Sequence, residues 1–399
     1  MKRLQKPTFL SIFCMAMALS LVSCNRTGSN RQKPIEDQYL DSLEVLFSGL
    51  PAWLATVYDP ASGGFYHNSK MVNDPQYGPD MQSTFFGLKI LLSGNIVNKD
   101  SISESFRAGL ERYVKTRYDP NHGLFLDPRY AERTMKSERT LGRVQNMAND
   151  ILNRIGFNEV VDTPLDKNKT PNYLTSTGEF RKWVAKLRWE RVWSAFDRIS
   201  SQSALIKRLP KDRADSLVSY VRKYAESIQN NDGLWGEGQS LEVRISGAVK
   251  YGAFCERWNI PMPNPDKIYK ALLYWFKTNK DLDFTAHSVC PICVPRNALQ
   301  LLSYIKPQMN VVIGQEDRML ILVKTIEMLR FYSNSDGGFM KSHLESTITP
   351  NDINHGKYDE LISDSNGAQL AIVTRQSLYE MLGLPVPRLA MDPNELKFF

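Results

Sequence analysis

The stretch Gln229-Asn230-Asn231-Asp232-Gly233-Leu234-Trp235 decides the reading of this chain. It places turn-forming residues before a glycine, then any residue, then an aromatic. Three other stretches repeat the pattern: YDPASGGF (58–65), YDPNHGLF (118–125) and SNSDGGF (333–339). The glycines are Gly63, Gly123, Gly233 and Gly337, spaced by 60, 110 and 104 residues. The two long gaps are nearly double the short one, which points to a missing copy inside each. One midpoint falls at Gly178-Glu179-Phe180 and the other near 285, in DFTAHSVCPICVPRN. The pattern predicts six units of roughly 52–60 residues.

Helical apolar spacing flanks the loops. Before them run SLEVLFSGLPAWLATV, SFRAGLERYVKTR, DSLVSYVRKYAESI and MLILVKTIEMLRFY. After them run STFFGLKILL, TLGRVQNMANDIL, EVRISGAVKYGAFCERW, RNALQLLSYI and GAQLAIVTRQSLYEML. The glycine is expected to end the first helix in left-handed geometry, and the aromatic to pack back between hairpins. No alternating strand pattern competes. The expected fold is all-α: six helical hairpins as an (α/α)6 toroid over residues 37–399, or an open solenoid of hairpins.

The Gln229–Trp235 stretch fits Q-x3-G-x-W. In this it resembles the terpenoid cyclase and protein prenyltransferase toroid superfamily. The resemblance spans about residues 37–385 as architecture, with one full copy of the motif. It implies the toroid and not the chemistry, because folds host many functions. The superfamily's DxDD and DDxxD acidic motifs are missing, as is the thioester CxEQ of macroglobulin-like toroids.

The first residues address the compartment. Lys2, Arg3 and Lys6 precede an apolar run at 8–20, then Leu21-Val22-Ser23-Cys24. This resembles a bacterial lipobox, as in lipoprotein signals of Gram-negative bacteria. It implies a signal peptide over 1–23, cleavage before Cys24, acylation of Cys24 and a membrane-anchored envelope protein. Residues 25–36 (NRTGSNRQKPIE) are polar and read as a flexible tether whose basic start favours the periplasmic side. Without the signal, 376 residues remain and the formal charge falls from +7 to +4, too mild to argue for nucleic acid. A composition of 42% apolar and 23% charged residues is that of a globular chain.

In a toroid, every outer-to-inner loop opens on one face, where the inner helices begin with their positive dipole ends. Candidate site residues are therefore sought there. The fifth loop carries His287, Cys290 and Cys293, then Arg296-Asn297. The two cysteines suit a local disulfide in an oxidising compartment. The alternative is a zinc site with His287; no cofactor is otherwise expected. His287 titrates near neutrality and is a candidate base. Arg296 and Asn297 can clamp a carboxylate or sulfate. The fourth loop offers Trp235, Glu237, Glu242 and Arg244, the first loop His67, Asp80 and Gln82, and the second Arg129, Arg133, Glu138, Arg139 and Arg143. The sixth runs from Phe339 to about Asp364 and carries His343, Glu345, His355, Tyr358 and Asp359.

These residue types suit an exported carbohydrate-active enzyme acting on an acidic glycan. A lyase would use His287 or Tyr358 as base, with Arg296, Asn297 or Arg139 neutralising the carboxylate. A hydrolase would pair two of Asp80, Glu242 and Glu345. Trp235, Glu237 and Arg244 would contact sugar in either case. The other expectation is a non-catalytic lipoprotein that binds a ligand or glycan in the funnel.

Overall fold

The computed structural model describes residues 33–157, 165, 170–278, 292–342, 353–356, 358, 360–396 and 398–399. The chain divides into two compact units, Met1–Gln38 and Tyr39–Phe399, and only residues 33–38 of the first are described. The fold is all-α. No described helix is long and apolar enough to cross a membrane.

Outer helices alternate with inner ones. The outer set is α1 (Ile35–Leu46) with α2 (Leu50–Thr56), then α4 (Glu104–Lys115), α6 (Thr177–Ala185), α8 (Lys211–Ser227), α10 (Pro265–Thr278) and α12 (Gln315–Tyr332). The inner set is α3 (Met81–Ser93), α5 (Glu138–Ile155), α7 (Val192–Ser201), α9 (Leu241–Trp258), α11 (Cys293–Ile305) and α13 (Ser365–Leu382). Within Tyr39–Phe399 each inner helix packs on the next, and α13 packs back on α3. An open solenoid leaves its first and last hairpins apart; here the contacts between inner helices run in a cyclic order, or ring.

Two features of the sequence pattern work differently from expectation. Gly63, Gly123, Gly233 and Gly337 do have positive φ, between +66° and +89°. They are not helix caps, however: the C-cap of α2 is Val57 and that of α4 is Thr116. The first two glycines close tight turns between two-residue strands, β1 (Tyr58–Asp59) with β2 (Gly64–Phe65) and β3 (Tyr118–Asp119) with β4 (Leu124–Phe125). In each turn the glycine N–H donates to the aspartate carbonyl four residues back, at 2.8 Å. The Asp59 and Asp119 carboxylates accept from the N–H of Ala61 and Asn121, which favours the turn over a longer helix. The proposed third copy is also absent. Gly178 lies inside α6, behind its N-cap Ser176. A Ser cap with Glu179 three residues on is a helix start, and that local signal wins over the repeat spacing. The second midpoint, near 285, where the fifth copy is expected, lies outside the described residues.

The aromatic partner of each glycine behaves as expected. Phe65, Phe125, Trp235 and Phe339 are all buried. Phe339 packs against Phe47 with the ring centroids 4.8 Å apart, joining the sixth hairpin to the first. Gly63, Gly233 and Gly337 press on the backbone of a neighbouring unit, and Gly123 does not. A Cβ on Gly63 would lie 2.2 Å from the Gly109 carbonyl of α4, and one on Gly337 would lie 2.7 Å from that of Gly49, ahead of α2.

Candidate functional site

Charged side chains from five of the six inner helices interact across the ring. On α7, Asp197 is buried between the guanidinium of Arg139 (α5) and the amine of Lys250 (α9), the latter at 2.8 Å. Burial alone would raise the Asp197 carboxyl. Lys250, Arg139 and Arg143 outweigh it and hold the group well below the ordinary carboxylate range. Trp193, one turn before Asp197, is 36% exposed. Arg139 and Lys250 lie over its ring, 5.5 and 5.8 Å from the centroid. An indole open to solvent beside two cations is suited to stacking on a sugar face while the cations meet an acidic substituent.

A second group lies among α3, α5, α9 and α11. Burial pushes the Lys89 amine of α3 down to about 7, helped by Arg296 and Arg154. Asp150 and Glu256, also nearby, have other partners: Arg257 at 3.6 Å and the Tyr304 hydroxyl. Arg296 donates to Asn297 Oδ1 at 2.9 Å, and Asn297 Nδ2 donates to Ser246 Oγ at 3.0 Å. The Arg296 Nε–H is buried without a partner. Burial lowers this guanidinium to about 10.

A third cluster joins the first and last inner helices, and it is sealed. Asp80 caps α3, accepting from the Ser83 N–H at 2.8 Å, and Asp364 caps α13 through Gly367. The His67 and His355 rings stack between them at 3.8 Å. His355 Nε2 is 2.9 Å from Asp80, and His67 Nδ1 is 2.9 Å from Ser365 Oγ. Exposure is 5% at His67, 1% at His355 and 0% at Asp80, so the cluster does not face solvent. Burial would raise Asp80, but the His355 hydrogen bond and the nearby histidines bring it down to about 2. Burial and the neighbouring His355 hold His67 well below its ordinary value.

These shifts predict a two-stage acid profile. Between pH 6.5 and the low native value of His67, the unfolded chain binds a proton that the native state does not, so stability falls as pH drops below about 6.5. Asp80 contributes about 2 kcal/mol that is present above its unfolded value near 3.8 and lost as pH falls towards 2. Thermal unfolding from pH 8 to 2 checks this. His67→Gln should remove the first decline and leave the second; a variant that keeps both declines contradicts the assignment.

The sequence-derived candidates scatter. Arg139, Arg296 and Asn297 belong to the ring groups just described. Asp80 is a buried cap. Trp235 is a core residue, not a sugar platform: it is fully buried, and its indole N–H donates to the Ala225 carbonyl at 2.8 Å. Arg244 braces that loop, donating to the Trp235 carbonyl at 3.1 Å and to Asp232 at 2.6 Å. Glu237 is exposed. Glu242 accepts from the Trp275 indole of an outer helix at 3.2 Å, so no Asp80–Glu242 pair forms. Tyr358 is half-buried, and its hydroxyl lies close to Gly356.

Several candidates lie outside the described residues: Cys24, His287, Cys290, His343, Glu345 and Asp359. Cys293 is disulfide-bonded, and a disulfide sulfur is not a thiolate ligand. Among the described residues no group of three or more His, Cys, Asp and Glu is arranged to hold a metal. Lys250 and Lys89 escaped sequence reasoning because they sit inside inner helices, beyond the loops and first turns; Trp193 lies in the first turn of α7, whose loop the repeat spacing places instead at Gly178. An exposed Trp in an amphipathic helix was the available signal. No family model matches the chain, and no curated protein matches it in sequence.

Proposed function

We propose that this chain is an envelope lipoprotein, anchored through Cys24 and facing the periplasm, that holds an acidic glycan inside an (α/α)6 toroid. One observation carries the reading: Trp193 is open to solvent beside Arg139 and Lys250 of the two neighbouring inner helices. An aromatic face recognises the apolar side of a sugar ring, and flanking cations select carboxylate or sulfate substituents. The mild net charge of the mature chain makes this a local feature and not a general affinity for polyanions.

The same ring serves either of two fates for the glycan. A lyase neutralises a uronate carboxylate with cations such as Arg139 or Arg296 while a base removes the adjacent proton. A binder stops at recognition. Hydrolysis is the weaker enzymatic reading, because Asp80 is sealed and Glu242 is engaged elsewhere.

The test uses the mature chain without its tether, with polygalacturonate, chondroitin sulfate and dextran. Tryptophan fluorescence and calorimetry read binding; absorbance of unsaturated uronate and new reducing ends read cleavage. Binding of an acidic polymer and not of dextran is expected. Trp193→Ala should weaken it roughly tenfold, about 1.4 kcal/mol. Equal binding of dextran, or an unaffected Trp193→Ala, overturns the reading.

A further inference from the structure

Asp197 holds two cations with one carboxylate. Its Oδ2 accepts from Arg139 Nε of α5, and its Oδ1 lies 2.8 Å from the Lys250 amine of α9. The acid is turned inward and the cations outward: the side chains are 5% exposed at Asp197, 20% at Arg139 and 29% at Lys250. Both cations lie within 6 Å of the Trp193 centroid, at 5.5 and 5.8 Å, so one sugar touching the indole reaches both. Among the described residues, neither cation has another hydrogen bond or ion pair. Arg139 spends its Nε, which leaves both Nη groups to donate, and the Lys250 amine keeps two of its three N–H groups. A structural bridge needs one cation for one carboxylate. Here a second cation is half-buried with the first beside an exposed indole, and a ligand anion matches the surplus charge.

We propose that Asp197 is the positioning residue of the glycan site: it fixes the Arg139 Nη groups and the Lys250 amine beside Trp193 as a cradle for one uronate carboxylate, and by cancelling one of their two charges it disfavours densely sulfated chains. This rests on the reading of Trp193 as a glycan contact. Asp197 touches no sugar and acts through the two cations. Without the acid, Arg139 and Lys250 repel each other, and the patch draws polyanions in proportion to their charge density.

The experiment compares polygalacturonate with dextran sulfate on the mature chain, by calorimetry at one fixed ionic strength. Asp197→Asn keeps the shape of the side chain and removes its charge. It should weaken polygalacturonate and strengthen dextran sulfate, lowering the ratio of their affinities roughly tenfold. A merely structural acid would weaken both polymers alike; an unchanged ratio overturns the proposal. A second readout needs no polymer. Trp193 fluorescence, taken against the Trp193→Phe form of each variant, is quenched with iodide and with neutral acrylamide. Asp197→Asn should raise iodide quenching about two- to fourfold and Lys250→Met should lower it, with acrylamide quenching unchanged in both. Equal rises for the two quenchers mean a loosened fold and overturn the proposal. If Asp197→Asn does not fold, the charge-balanced Asp197→Asn/Lys250→Met replaces it; this variant should lose the preference for polygalacturonate, and a preference that persists overturns the proposal. If polygalacturonate binds at Trp193 with a ratio that ignores Asp197→Asn, the positioning role fails and the glycan reading stands. If no polymer binds but iodide behaves as stated, the glycan reading fails and Asp197 still positions the two cations.

Discussion

Gly63→Val destabilises the protein by about 2–5 kcal/mol, and Gly123→Val by only about 1–2 kcal/mol. Both positions have positive φ, +82° and +66°, which costs an L-residue about 1–2 kcal/mol. The difference is what surrounds them. A Cβ at 63 would lie 2.2 Å from the Gly109 carbonyl oxygen, within the backbone of the next outer helix. Backbone cannot swing aside as a side chain can, so the hairpins must part, adding about 1–3 kcal/mol. At 123 the nearest atom is Arg208 Nη2 at 3.6 Å, the end of a flexible side chain. Denaturant unfolding of both variants reads the gap directly. Equal losses would mean that the first two hairpins do not meet at Gly63 and Gly109.

Glu44→Ala is expected to cost about 3–5 kcal/mol, although Glu44 is near the start of the folded chain. Its two carboxylate oxygens accept from Arg375 at 2.8 and 2.6 Å, and Oε1 also accepts from the Tyr379 hydroxyl at 2.8 Å. Arg375 is 0% exposed, so removing its partner leaves a buried guanidinium with little beyond the Pro387 carbonyl. The contact joins the first outer helix to the last inner one and so spans the closure of the ring. Replacing both residues by methionine should recover most of the loss, because removing a buried pair costs far less than breaking it. A loss below about 1 kcal/mol in Glu44→Ala would contradict a buried pair.

What was legible in the sequence was local. Helical spacing marked five of the inner helices and four outer stretches but none of α6, α7 or α10, and Gly63, Gly123, Gly233 and Gly337 announced left-handed turns because few other residues tolerate them. The Q-x3-G-x-W stretch located a buried aromatic, and an all-α fold followed. The same reasoning placed Gly178 in a turn, although Ser176 and Glu179 make its surroundings a helix start. It gave Trp235 to a ligand when the repeat itself assigned it to the core.

Which residues meet was decided by the tertiary structure alone. His67 and His355 stack although 288 positions separate them, because α13 returns to α3. Trp193 meets Arg139 and Lys250 because three consecutive inner helices pack side by side. Periodicity tells a helix which side to bury. It does not say which partner from a distant hairpin that side will meet, and the electrostatics of Asp197, Lys89 and Arg296 arise only from those meetings. Composition and pattern therefore determined the class of fold, and long-range closure decided where its chemistry gathers.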